Sequence, residues 1–235
     1  MKRVCHPCRK KWKGKCENGT AFSPLYCNKK LIGARFYYKG FLAQDSNASE
    51  EGEYLSPRDF SGHGTHTAST AVGNHVPGAS YFGYARGTAI GVAPCARLAI
   101  YKVLWGDGGG VMCDILAGME QAILDGVDIM SLSLGDKDIS HLRLKTYFTD
   151  FVSYGSLSAI EKGIFVVCAA GNNYQFKTVS KFPTGSGTLV KDYVTRVKNP
   201  KVKDMSFVLT RLGTKPAPQV AKSSSKGPNP ISPGV

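Results

Sequence analysis

The chain has 235 residues, an apolar content of 42% and a formal net charge of +13. This length allows one large domain or two small ones, and the apolar content is compatible with a globular core. No apolar run approaches the roughly 18 residues that a membrane span needs, so we expect no membrane partner. The basic start Met1–Pro7 lacks the apolar stretch of a signal peptide.

The positive charge is concentrated at the two ends of the chain. Residues 1–15 carry seven Lys or Arg and no acid, and residues 174–235 carry eleven with only two Asp, which leaves a mildly acidic middle. Basic ends can contact nucleic acid. Because no nucleic-acid-binding motif accompanies the charge, we favour solvated ends and expect no nucleic-acid partner. Residues 1–11 and most of 174–206 are predicted to be poorly ordered.

The seven cysteines are an odd number. Cys5 and Cys8 form a C-x-x-C pair, but no second pair follows at zinc spacing, so we expect no metal site. Cys16 and Cys27 bracket a glycine-containing loop and could close a local disulfide.

Two N-glycosylation sequons occur, Asn18-Gly19-Thr20 and Asn47-Ala48-Ser49. Such sequons arise often by chance. They have a meaning only if the chain enters the secretory pathway.

A histidine between two glycines stands out near the first quarter of the chain, in the text D-F-S-G-H-G-T-H-T-A-S-T-A that begins at Asp59. Gly62 and Gly64 carry no side chain, so a backbone or a substrate could approach the imidazole of His63. The small residues 65–72 suit a helix buried against a sheet. Histidine is the most common general base in enzymes. For a bare G-H-G, a turn that enters a helix would be the alternative.

Beyond this segment, glycines argue against regular structure at 83–89, and strands then alternate with helices. The predicted elements are a strand at 97–104, a helix at 114–124, a strand at 127–134, a helix at 151–162 and a strand at 164–170. Asp114 is a plausible N-cap of the first of these helices, and Gly126 is a plausible C-terminal stop. Alternation of this kind predicts a parallel sheet with helices packed on its faces.

The histidine segment resembles the histidine motif of subtilisin-like serine proteases, and the longer text S-P-R-D-F-S-G-H-G-T-H-T-A-S-T is similar to the plant branch of that family. The text W-K-G-K-C-E-N-G-T-A-F from Trp12 resembles the plant segment that lies between the catalytic aspartate and the histidine. Further along, S-L-S-L-G and A-A-G-N resemble the substrate-binding strand and the oxyanion segment, in the family's order. Residues 216–229 resemble family text found before the nucleophile.

This resemblance implies an α/β fold, namely a three-layer subtilisin-like parallel sheet with helices on both faces, incomplete in this chain. It implies that His63, rather than His66, is the catalytic base. The side-chain amide of Asn172 would donate to the oxyanion of the tetrahedral intermediate.

The same resemblance implies a peptide-binding strand end and a disulfide. The backbone of Ser133, Leu134 and Gly135 would pair with an extended peptide or protein substrate. Cys16 and Cys27 match paired cysteines of the family by position. No cofactor is implied, and the location by resemblance is extracellular.

Two parts of the family's catalytic triad have no counterpart in this sequence. No Asp-Thr-Gly and no Gly-Thr-Ser occurs, and Gly185–Thr188 is the nearest imitation of the second motif. We therefore predict a basic N-terminus at 1–11, a partial peptidase domain at 12–173, a weakly ordered basic junction at 174–207 and a partial return of peptidase sequence at 208–235. The resemblance implies a subtilisin-like serine endopeptidase that is inactive alone, and the alternative is a non-catalytic remnant that binds peptides weakly.

Overall fold

The computed structural model describes residues 10–44, 53–106, 109–135 and 150–171, together with Arg196 and Ser224. The chain divides into two compact units, Met1–Ala169 and Ala170–Val235. Almost all described residues belong to the first unit, and the fold below is the fold of that unit. The prediction of poor order concerns residues 1–9 and 174–206, which lie outside the described residues except for Arg196. Asn172 also lies outside them.

The described part contains four α-helices, a short 3₁₀ helix and eight strands. The helices are the 3₁₀ helix Pro24–Tyr26, α1 (Lys39–Gln44), α2 (His63–Val72), α3 (Met112–Asp125) and α4 (Phe151–Glu161). The strands are β1 (Leu31–Phe36), β2 (Val76–Tyr81), β3 (Tyr84–Ala89), β4 (Leu98–Lys102), β5 (Leu104–Trp105), β6 (Gly109–Gly110), β7 (Ile129–Leu132) and β8 (Phe165–Cys168).

The main strands form two parallel pairs, β1 with β4 and β7 with β8. This arrangement, with helices between the strands, confirms the α/β class. It differs from the predicted single sheet, because within the described residues β4 pairs with β1 and not with β7. The sequence predicts where β4, β7 and β8 lie but not which strand edges pair. The text L-I-G-A-R-F of β1 also lacks the apolar run that would have indicated a strand.

Helix α3 supplies most of the core beside β7. Its side chains Ile115, Met119 and Ala122 are buried against β7, α4 and the start of β8, as the predicted apolar face requires. Gly126 ends the helix in a left-handed conformation (φ 83°), which glycine adopts without a steric penalty. The helix therefore forms close to its predicted bounds.

The prediction that Asp114 is the N-cap of α3 is wrong. Val111 occupies the N-cap, and Asp114 lies buried in the first turn. Its carboxylate instead accepts the backbone N–H groups of Gly40 (3.0 Å) and Phe41 (2.9 Å), which belong to the first turn of α1. A carboxylate satisfies such otherwise unpaired donors well, so Asp114 fastens one helix to another.

Strand β3 occupies residues 84–89 of the segment that was predicted to be an irregular loop, which corrects that prediction. This strand pairs antiparallel with β2 across a turn in which Phe82 (φ 48°) and Gly83 (φ 89°) both have positive φ. Two such residues give the turn a twist that suits a hairpin. All of β3 is exposed. An exposed strand lacks alternation between apolar and polar residues, so its sequence does not reveal it.

The fold is incomplete in the described residues. Helices α3 and α4 cover one face of the β7–β8 pair, while the opposite face carries the directly paired side chains Ile129 and Phe165, 63% and 68% exposed. Helix α2, expected to be buried against a sheet, forms as predicted but has no buried residue. No described element covers it or the open face of the β7–β8 pair.

A buried ion pair joins β1 to the end of α3. Arg35 donates Nε–H to Asp125 Oδ2 (2.7 Å) and Nη2–H to Oδ1 (2.8 Å), and the two side chains are only 10% and 3% exposed. Tyr101 and Gln121 each donate a further hydrogen bond to Asp125, at 2.9 Å. Glu17 Oε1 accepts a third hydrogen bond of the guanidinium, from Nη1 at 2.9 Å.

This cluster shifts the pKa values of Asp125 and Tyr101. Burial raises the pKa of the Asp125 carboxyl, but the hydrogen bonds from Arg35, Gln121 and Tyr101 and the charge of Arg35 outweigh burial, so its pKa lies below the ordinary value. Burial and the hydrogen bond to Asp125 raise the pKa of Tyr101. Asp125 is therefore held ionised and fully hydrogen-bonded.

We expect Asp125→Ala to reduce the free energy of unfolding by about 3–5 kcal/mol, because it leaves the Arg35 charge buried without its partner. Lys15→Ala is the control. It removes an exposed contact of 3.8 Å to Glu17, and such pairs contribute no more than about 1 kcal/mol. Urea unfolding followed by circular dichroism measures both variants. Equal losses for the two variants would contradict the assigned role of the buried pair.

Candidate active site

His63 is the first residue of α2, and its side chain is exposed. Gly62, the N-cap, has a left-handed backbone (φ 89°) that a residue with a side chain rarely adopts. A Cβ added to Gly62 would meet no described atom within 4 Å. The glycine is therefore needed for the turn into the helix, and its role in the approach of a substrate stays a prediction.

Asp59 holds this turn. Its Oδ1 accepts the backbone N–H of Gly62 (2.9 Å), and its Oδ2 accepts the backbone N–H (2.7 Å) and the hydroxyl (2.6 Å) of Thr65. Because Gly62 has no side chain, Asp59 satisfies the donor that an N-cap side chain would otherwise satisfy. Both carboxylate oxygens are thereby engaged beside His63, although neither accepts a hydrogen bond from its imidazole.

The environment of Asp59 favours its ionised form. Burial raises the pKa of the carboxyl, but hydrogen bonds from Thr65 and Gly62, together with the charge of Lys102, outweigh burial and lower it. A negative charge at a helix N-terminus also interacts favourably with the helix dipole. Asp59 therefore stabilises the start of α2 as a carboxylate.

A lysine whose side chain is only 10% exposed ties the loop before His63 to β4. Lys102 Nζ donates to Glu53 Oε1 (2.8 Å) and to the backbone oxygens of Tyr54 (3.1 Å) and Arg58 (2.8 Å). It also lies 4.3 Å from the ring centroid of Trp105. The other oxygen of Glu53 accepts the backbone N–H of Gly106 at 2.8 Å. The loop that leads to the histidine is thus fixed by a strand residue 44 to 49 positions further along the chain.

The loop closed by Cys16 and Cys27 supports the same segment from another side. The structure contains a disulfide between these two cysteines, whose Cα atoms are 6.6 Å apart. Thr20 donates its backbone N–H to the oxygen of Leu55 at 3.2 Å, and Arg58 Nη1 donates to the oxygen of Ala21 at 3.2 Å. Residues 53–59 are therefore held between the disulfide loop and Lys102.

The other proposed site residues are not joined to His63 by any hydrogen bond within the described residues. Ser133, Leu134 and Gly135 follow directly after β7, with Ser133 and Gly135 exposed and Leu134 half-buried. Asn172 lies outside the described residues, so its distance from His63 stays a matter of prediction. Within the described ranges, no group of three or more His, Cys, Asp or Glu is placed to hold a metal ion.

Comparison with known proteins decides the family. The model of the subtilase family (Peptidase_S8) matches residues 20–235. The chain belongs to the subtilase family. It is 46% identical over 193 residues to the subtilisin-like protease SBT1.7 of Arabidopsis thaliana, covering 80% of this chain, and 50% identical over 167 residues to SBT1.6 of the same plant, covering 71%. The chain spans about a quarter of the length of these relatives, 25% and 22% respectively.

Solved structures give a partial match. A chain named Sphericase is 36% identical, with a TM-score of 0.36, and the match covers 52% of this subtilase chain and 36% of that chain. A chain named S41 Psychrophilic Protease is 31% identical, with a TM-score of 0.37 and the same coverages. No helix in the described part of this subtilase has both the length and the apolar character needed to cross a membrane.

Sequence reasoning found His63 but missed the residues that hold it, Asp59, Glu53 and Lys102. Asp59 left a local signal, since an aspartate shortly before a helix start indicates an N-terminus. The pairing of Glu53 with Lys102 left none, because the two residues meet only when β4 lies beside the loop. Sequence analysis of this subtilase therefore identified the candidate base without its support.

Asp59→Asn is expected to make the free energy of unfolding less dependent on pH in the acid range. Because folding lowers the pKa of Asp59, its carboxylate contributes stability above its unfolded pKa of about 4 and loses this contribution as the pH falls through its lower folded pKa. The difference in stability between the parent chain and Asp59→Asn should therefore be largest near neutral pH and shrink on acidification. Urea unfolding at a series of pH values measures it, and a difference that stays constant with pH would argue against an ionised cap.

Proposed function

We propose that this chain is part of a subtilisin-like serine endopeptidase, in which it supplies the general base and the oxyanion donor, and that it does not cleave peptides on its own. The observation that carries the proposal is the position of His63, exposed at the first residue of α2 on a turn that Asp59 holds by three hydrogen bonds. A base that must reach a serine and a substrate needs this combination of exposure and fixed position.

In such an enzyme His63 would take the proton of a serine hydroxyl as it attacks the peptide carbonyl, and would then give the proton to the leaving amine. The side-chain amide of Asn172 would donate a hydrogen bond to the oxyanion, a contribution of about 10²–10³ in turnover. Extended peptide or protein substrates are the class that family membership supports.

A triad also needs a carboxylate that orients the base and fixes its tautomer. Asp59 is the carboxylate nearest in sequence, but both of its oxygens accept hydrogen bonds from Gly62 and Thr65. No described carboxylate accepts a hydrogen bond from His63. The sequence has no Asp-Thr-Gly, which would carry the family's aspartate. Within the described residues, the imidazole therefore lacks the carboxylate partner that the mechanism requires to fix its tautomer.

The nucleophile is the second missing part. The sequence has no Gly-Thr-Ser, and no described serine or cysteine side chain is hydrogen-bonded to the imidazole of His63. In subtilisin, loss of the nucleophilic serine alone lowers turnover by about 10⁶. Loss of the orienting carboxylate adds little to that figure, because triad losses are not additive.

A non-catalytic peptide-binding role is the second candidate. It is favoured by β7, which pairs with β8 along one edge and with no described strand along the other. The exposed residues Ser133 and Gly135 extend that edge. An extended peptide could add to such an edge through backbone hydrogen bonds, with weak affinity in the absence of deep side-chain pockets. Backbone amide shifts at 129–135 on titration with an extended peptide would test this role.

The purified chain is expected to show no measurable serine protease activity. A fluorogenic peptide substrate and a serine-directed fluorophosphonate probe together provide the measurement, with His63→Ala as the control. Turnover at the background rate in both proteins, without probe labelling, supports the proposal. Stoichiometric labelling of one serine, with turnover that disappears in His63→Ala, would show that another serine has taken the role and that the proposal is wrong.

A further inference from the structure

We propose that Asn18 is an N-glycosylation site, which carries an asparagine-linked oligosaccharide on the disulfide loop of this chain. The proposal does not depend on proteolysis or on the integrity of the triad. It rests on three separate observations: the sequon Asn18-Gly19-Thr20, the exposure of the asparagine in the fold, and the disulfide that encloses it.

The sequon lies at a tight turn. Gly19 and Phe22 exchange two backbone hydrogen bonds, each 3.1 Å, so residues 19–22 form the turn and Asn18 immediately precedes it. Asn18 and Thr20 are both exposed, and within the described residues no hydrogen bond engages the side-chain amide of Asn18. A bulky, hydrated oligosaccharide at this position would extend into solvent without breaking a contact of the fold.

The middle residue of the sequon explains how the turn is held. A Cβ on Gly19 would collide with the backbone oxygen of Leu55 and with Ser56, which is fully buried. Glycine therefore allows the turn to pack against residues 55–56, and the bond from Thr20 N–H to the Leu55 oxygen fixes it there. Gly19 thus makes the contact with residues 55–56, and the side chain of Asn18 takes no part in that packing.

The disulfide supplies an independent argument about compartment. Cys16 and Cys27 are bonded and enclose the sequon, and disulfides persist in oxidising compartments such as the lumen of the endoplasmic reticulum. The enzyme that attaches N-linked oligosaccharides works in that lumen. The disulfide and the modification of this sequon therefore belong to the same compartment, which supports the proposal.

The chemistry is a transfer from a lipid-linked oligosaccharyl pyrophosphate, the co-substrate of this modification. A bond forms between Asn18 Nδ2 and the anomeric carbon of the first N-acetylglucosamine. The bond from that carbon to the pyrophosphate oxygen breaks, and the lipid pyrophosphate leaves with the electron pair. The amide loses one proton to a base of the transferase, and Thr20 supplies the hydroxyl that the sequon requires.

The test uses the full chain, directed into the endoplasmic reticulum of eukaryotic cells by a cleavable signal. Asn47→Gln forms the background, because it removes the second sequon. On this background we compare the otherwise unchanged chain with Thr20→Ser, which keeps the sequon, and with Thr20→Ala and Asn18→Gln, which abolish it. Lumenal protein with the signal removed is treated with a peptide:N-glycosidase and analysed by gel mobility and by peptide mass.

We expect a glycosidase-sensitive mobility shift in the Asn47→Gln chain and in its Thr20→Ser derivative, and no shift in the Thr20→Ala and Asn18→Gln derivatives. Peptide mass should show conversion of residue 18 to aspartate by the glycosidase in the first two only. An Asn47→Gln chain that is recovered from the lumen without modification overturns the proposal. A shift that persists in Asn18→Gln overturns it equally, because the oligosaccharide would then be attached elsewhere. Since Thr20→Ser and Thr20→Ala change the same exposed position, a difference in folding does not account for the expected pattern.

Discussion

The buried pair of Arg35 and Asp125 is the interaction on which the rest of this fold depends. Two residues ninety positions apart meet in bidentate geometry, and Tyr101, Gln121 and Glu17 complete their hydrogen bonds. Burying two charges is costly, so the arrangement is tolerated only because the guanidinium and the carboxylate are so fully paired. A shift of α3 relative to β1 would separate the two charges and leave each one buried without its partner. The pair therefore fixes the position of α3 relative to β1 in addition to stabilising the fold.

A second charge, that of Lys102, fixes the loop that leads to the histidine. Lys102 is the last residue of β4, the strand that pairs with β1, and it holds the loop from Glu53 to Arg58 through three hydrogen bonds. The loop ends at Asp59, which holds the start of α2. His63 is thus placed by a series of polar contacts that begins in the core and ends at the surface. The imidazole itself has no hydrogen bond to any described residue.

Within the described part of the chain, some apolar surface has no cover. The open face of the β7–β8 pair carries Ile129, Phe165 and Val167, all exposed, although parallel strands are normally covered on both faces. Helix α2 buries none of its side chains. These open surfaces accord with an incomplete α/β fold in a subtilase chain that spans about a quarter of the length of its curated relatives. His63 is supported by a well-paired polar framework, whereas no described element covers helix α2 or the open face of the β7–β8 pair.

The sequence by itself determined the family, the candidate base and the elements whose signals are local. Helix α3 was predictable because its apolar residues recur at helical spacing and Gly126 stops it, and His63 because its motif is long and contiguous. Only the tertiary structure decided that β4 pairs with β1, that the exposed segment 84–89 is a strand, and that Asp114 caps α1 rather than α3. It also revealed Asp59 and Lys102 as the supports of the histidine. The reason is physical: periodicity and turn signals depend on neighbours within a few residues, whereas strand pairing and buried charge pairs depend on residues forty to ninety positions apart, which meet only after the chain has folded.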